Sequence, residues 1–144
     1  MITGYATPKG TKKFAERQPE ASQQNYKDVN NLTLSNVGIG TYLGNPDIET
    51  DKLVENAVKK SVLGGINVID TAINYRAQKA ERSVGNAISQ LIDNNDISRE
   101  EIFVSTKNGY VTNDGDIKED LMQYVMREYG KTGIVKEGDI SPGY

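Results

Sequence analysis

The chain has 144 residues, 36% hydrophobic and 26% charged, with a formal net charge of −3; this is the composition of one ordinary soluble domain and gives no basic footprint for nucleic acid or an anionic membrane surface. It contains neither Cys nor His, which excludes disulfides, thiolate nucleophiles, a Ser-His-Asp triad and metal sites built on imidazole or thiolate. Reactive chemistry must come from Asp, Glu, Lys, Tyr or Arg. No apolar run reaches the length of a bilayer span. The N-terminus lacks the apolar segment of a signal peptide, so a cytoplasmic location is expected.

Residues 1–30 are polar and show no strong apolar face, which predicts a loose N-terminal arm with room for one short helix. Residues 31–144 read as the folded body. Alternation at Leu32 and Leu34, then Val37 and Ile39 between small residues, predicts a strand pair or hairpin entering a first core strand at 37–40. Asn45 to Thr50 forms a turn, with Thr50 as the N-cap of a helix whose first turn is acidic. Leu53, Val54, Ala57, Val58 and Val62 recur at helical spacing, predicting a helix over 51–64 that Gly64 and Gly65 end. A short strand follows at 66–70. Val84, Ala87, Ile88, Leu91 and Ile92 form the stripe of a helix over 79–94. The run "IFVSTK" predicts a strand at 102–107, and Leu121, Met122, Val125 and Met126 predict a helix over 116–129. The tail beyond reads as loop. Short strands alternating with helices place the chain in the α/β class, with a parallel sheet covered by helices.

The stretch "INVIDTAINY" ends an apolar strand on Asp70, and Lys107 ends the next. In parallel α/β folds, reactive residues sit at the C-terminal ends of strands and in the loops that follow. Adjacent strands lie about 5 Å apart, so Asp70 and Lys107 can pair, with Tyr75 in the loop on the same face. A phenol ordinarily titrates near pKa 10. A neighbouring ammonium stabilises the phenolate, which lets the hydroxyl give a proton to a carbonyl oxygen at neutral pH. Asp70 would hold Lys107 in place and keep it charged. Taken singly, Asp70 also suits a turn cap, Lys107 a solvated strand end and Tyr75 a packed loop aromatic. Their joint pattern carries the catalytic reading. Glu81 suits the first turn of its helix through the dipole.

Here "GINVIDTAINYRAQKAERSVGNAI" resembles the signature of the aldo-keto reductases, and "IFVSTKNG" resembles that family's following strand with its lysine. The likeness runs from about Leu32 to Tyr110. It implies a (β/α)8 barrel, of which this chain carries about three of eight units as a partial TIM barrel. It also implies NADP(H) as cofactor and reduction of a small aldehyde or ketone to the alcohol. Asp70, Tyr75 and Lys107 fall on three members of the family's Asp-Tyr-Lys-His tetrad, with Tyr75 as proton donor. The fourth member, a His, has no counterpart here. A whole barrel needs about 250 residues and at least about 200, so a truncated, fragmentary or split reductase is expected. Such a chain would be inactive alone, would bind NADPH weakly or not at all, and would self-associate or pair with a complementing C-terminal half. Two alternatives stand beside this. One is an interaction or regulatory module derived from the family. The other is a Rossmann domain, with Gly38, Gly40 and Gly44 as a dinucleotide loop and Asp70 as the ribose-binding acid; the acidic helix start at Asp47, Glu49 and Asp51 opposes a pyrophosphate there.

Overall fold

Three parallel strands form the centre of the computed structural model, which describes residues 2–18 and 23–139. The elements in order are α1 (Pro8–Glu16), β1 (Tyr26–Val29), β2 (Leu32–Ser35), β3 (Ile39–Gly40), α2 (Ile48–Leu63), β4 (Val68–Asp70), α3 (Lys79–Asp93), β5 (Phe103–Ser105) and α4 (Leu121–Val125). The parallel sheet has the order β3-β4-β5, with Gly40 opposite Asp70 and Asp70 opposite Ser105. Successive strand residues face opposite sides. Ile39, Ile69 and Val104 therefore share the face that α2 and α3 cover, where Ile69 is fully buried among Val58, Val62, Val84, Ala87, Ile88 and Leu91. Burying a side chain of that size contributes about 1.5–3 kcal/mol. Gly40, Asp70 and Ser105 share the other face. Among the described residues the sheet is open, with no closed barrel. No helix among them is long and apolar enough to cross a membrane.

The predicted strands are present with narrower limits, and the predicted helices with shifted ones. α2 begins earlier than expected because Asp47, not Thr50, is its N-cap: the Asp47 carboxylate accepts from the Thr50 amide at 2.7 Å. The helix ends at Gly64, and Gly65 supplies the left-handed residue (φ +97°) that the exit requires. Its apolar stripe is narrower than the spacing suggested, since Leu53 and Ala57 are exposed. The last helix is shorter than the expected 116–129. Asp114 and Asp116 are drawn into ion pairs with Arg82 and Lys79. α4 starts only where Asp120 caps it, accepting from the Gln123 amide at 2.9 Å, and it continues as a π-helical turn over Met126–Gly130. Tyr124 and Val125 are its buried residues, rather than the expected stripe of Leu121, Met122, Val125 and Met126.

The N-terminal segment is packed, not loose. Thr7 caps α1, Pro8 occupies its first turn, and Phe14 is fully buried against the main core. Gly10 is required at the contact, because a Cβ there would lie 2.4 Å from the Glu100 carbonyl oxygen. The fully buried Glu101 ties α1 down through Arg17 at 2.8 Å and Lys13 at 3.6 Å. β1 and β2 form an antiparallel hairpin whose turn residues, Asn30 and Asn31, have φ +50° and +66°, the primed geometry that matches strand twist. Asn67, buried just before β4, anchors it by accepting from the Ser35 amide at 2.8 Å and donating to the Thr33 carbonyl at 3.0 Å. Helix and hairpin thus close the N-terminal end of the parallel sheet and leave the opposite end open. Residues 1, 19–22 and 140–144, parts of the expected arm and tail, lie outside the described residues.

Candidate active site

Strand pairing continues past the strand ends and sets the site. The Thr71 amide donates to the Ser105 carbonyl at 2.9 Å, and the Ile73 amide donates to the Lys107 carbonyl at 3.3 Å. On the other side the Thr41 amide reaches the Asp70 carbonyl at 3.1 Å, and the Thr41 hydroxyl donates to the Thr71 hydroxyl at 2.9 Å. These bonds bring Asp70 and Lys107 into reach although Lys107 lies two residues beyond β5. The Lys107 ammonium donates to both Asp70 oxygens, at 2.8 and 2.7 Å, and to the Thr71 carbonyl at 2.9 Å.

Tyr75 completes the cluster. The Lys107 Nζ lies 4.8 Å from the centroid of its ring, within the range of a cation–π contact. Tyr42, in the loop after β3, meets the same ring edge-on at 5.0 Å and 71°. The Lys107 ammonium is held above its ordinary pKa, first by the Asp70 carboxylate and then by the Tyr75 hydroxyl. Asp70 and Lys107 remain half-exposed, at 44% and 47%, so their pair adds little to stability. It does hold a positive charge beside a phenol at the open end of the sheet.

The turn leaving Tyr75 is unusual. Arg76, Ala77 and Gln78 all have positive φ, at +52°, +52° and +71°, and each left-handed non-glycine residue costs roughly 1–2 kcal/mol. Flanking side chains hold the turn. Arg76 pairs with Asp51 on α2 and donates through Nε to the Asn45 carbonyl at 3.0 Å. Lys79 pairs with Asp51 at 2.9 Å and Asp116 at 2.5 Å, which raises its pKa, Asp116 being the larger cause. Gln78 Nε2 donates to the Tyr124 hydroxyl at 2.9 Å. Glu81 lies in the first turn of α3 and also accepts from the Thr106 hydroxyl, tying the helix start to the residue before Lys107.

All three residues singled out from the sequence meet here, while Tyr42, Asp51 and Arg76 were not foreseen. Tyr42 was signalled by its place just after β3, at the same end of the sheet as Asp70. Nothing in the run from Arg76 to Lys79 announces its left-handed backbone, because no glycine marks it. The glycine-rich rival does not form a phosphate loop. Gly38 precedes β3, Gly40 lies within it, and Gly44 (φ +108°) abuts Thr50.

The helices that follow the parallel strands give a diphosphate no cradle. The helices after the parallel strands open on Asp47, Glu49 and Asp51, on Glu81, and on Asp120, where the positive dipole end is already taken by carboxylates. These residues therefore do not fit the phosphate part of NADP(H). In a comparison with family models, the one described as "Aldo/keto reductase family" matches residues 36–136.

Proposed function

The chain belongs to the aldo/keto reductase family, and from that premise we propose that Asp70, Tyr75 and Lys107 are the proton-delivering part of a carbonyl reductase. The family fold is a TIM barrel, and β3, β4 and β5 are read as three consecutive staves of it. The observation that carries the reading is Lys107, held between the Asp70 carboxylate and the Tyr75 ring at the C-terminal end of the sheet. Tyr75 Oη donates its proton to the carbonyl oxygen of a small aldehyde or ketone as that oxygen gains negative charge. The O–H bond of the phenol breaks and that of the product alcohol forms. The phenolate left behind sits beside the Lys107 ammonium, which stabilises it. Asp70 keeps that ammonium charged and aimed.

Aldo-keto reductases typically use NADP(H). The helices after the parallel strands offer it no phosphate cradle, so we place the cofactor's phosphate site outside them and expect these 144 residues alone to turn over no carbonyl. Holding a hydride donor against the carbonyl supplies several kcal/mol of the barrier, and this chain also lacks the His that fills the family's fourth position. The same missing cradle favours a second reading, a non-catalytic interaction module. NADPH binding separates the two, since a reductase needs it and a module does not.

The proton-donor role is tested in a completed barrel with Tyr75→Phe. Turnover is expected to be lost while NADPH affinity stays, because only the proton donor is removed. A parallel loss of affinity would count against the role.

A further inference from the structure

We infer that the Asp51–Arg76 ion pair positions Tyr75 against Lys107, an inference that rests on the reading of Tyr75 as proton donor. The two contacts on the Tyr75 ring cannot hold it by themselves, since Tyr42 is 64% exposed and Lys107 half-exposed. The ring's direction is set instead by its backbone, which passes directly into the left-handed residues Arg76, Ala77 and Gln78. Left-handed residues persist in series only where their surroundings over-determine them.

The structure supplies that constraint from another element. The Arg76 side chain is 1% exposed and runs away from the turn to α2, where Asp51 accepts from Nη2 and the Asn45 carbonyl accepts from Nε. The Asp51 carboxylate also pairs with Lys79 at 2.9 Å and accepts from the Ser83 hydroxyl at 3.3 Å. One carboxylate on α2 therefore holds the first residue of the turn and the residue just after it. Arg76 Nη1 is buried without a hydrogen-bond partner. An apolar side chain would fill this space without leaving a donor unmet, so burial alone does not account for a guanidinium here. A fixed, directional link between α2 and the turn does.

The test uses the 144-residue chain with carbon-13-labelled lysine, valine and isoleucine. An ammonium over a ring face has its neighbouring Cε methylene protons displaced upfield by the ring current. In the wild-type chain Lys107, assigned by loss of its signal in Lys107→Arg, should show that displacement, and Tyr75→Leu should remove it. Asp51→Asn should lose most of it while the Val58 and Ile69 methyl signals keep their positions. Arg76→Gln breaks the same pair yet leaves Asp51 with Lys79, and it should give the same loss. If Asp51→Asn does not fold, Arg76→Gln decides alone. Full displacement in either folded variant overturns the inference and leaves the proton-donor reading standing. A wild-type signal that Tyr75→Leu does not change overturns the reading itself, and the inference with it.

Discussion

The positions of Asp70 and Lys107 were legible because an apolar run that stops on a polar residue marks the end of a parallel strand, and that of Tyr75 because it lies in the loop that follows Asp70. Asp51 and Arg76 were not legible. Both are ordinary helix-start and loop residues in sequence, and only the tertiary fold sets them against each other. The same holds for Asp114, whose carboxyl is held at about 2, below its ordinary 3.8, chiefly by hydrogen bonds from Arg82. The folded state therefore binds this proton less readily than the unfolded chain. The stabilisation is present above about pH 4 and drains away as pH falls toward about 2. Asp114→Asn should remove this part of the acid dependence. Urea midpoints measured down that range should fall less steeply in the variant, and equal slopes would show that the Arg82 pair contributes nothing.

At the scale of elements, hydrophobic spacing located α2, α3 and the three parallel strands, because each buries a face against the others. It failed where burial is thin. β1 leaves three of its four residues exposed, so no alternation announces it; the consecutive Asn30 and Asn31 were the available sign. α1 reaches the core chiefly through Phe14, and one aromatic does not make a periodic pattern. Two glycine substitutions separate packing from propensity. Gly10→Ala drives a Cβ into the Glu100 backbone and should destabilise by about 1–3 kcal/mol. Gly85, in the middle of α3, has no atom within 4 Å of a Cβ built there, so Gly85→Ala should stabilise this chain by about 0.5–1 kcal/mol. Urea unfolding reads both. A destabilised Gly85→Ala would mean that the space beside α3 is filled in solution.

For the molecule as a whole, α1 and the hairpin close one end of the sheet and the cluster of Asp70, Tyr75 and Lys107 lies at the other. The two outer strands, β3 and β5, have free edges among the described residues. Apolar side chains stand open near β3 and on α2: Val37 at 64%, Leu43 at 81% and Leu53 at 63%. Unpaired edges and apolar patches of this kind favour association. Sedimentation of the purified chain should show species larger than a monomer, and a clean monomer at all concentrations would contradict that. On the function proposed above, Tyr75 delivers the proton while further barrel units hold the hydride donor. The most direct test is NADPH-dependent reduction of 4-nitrobenzaldehyde. It is measured on the 144-residue chain and on the same residues joined to the remaining strand–helix units of a family member, each with and without Tyr75→Phe. Turnover is expected only from the joined protein that keeps Tyr75. Turnover from the joined Tyr75→Phe protein, or Tyr75-dependent turnover from the chain alone, would contradict the account.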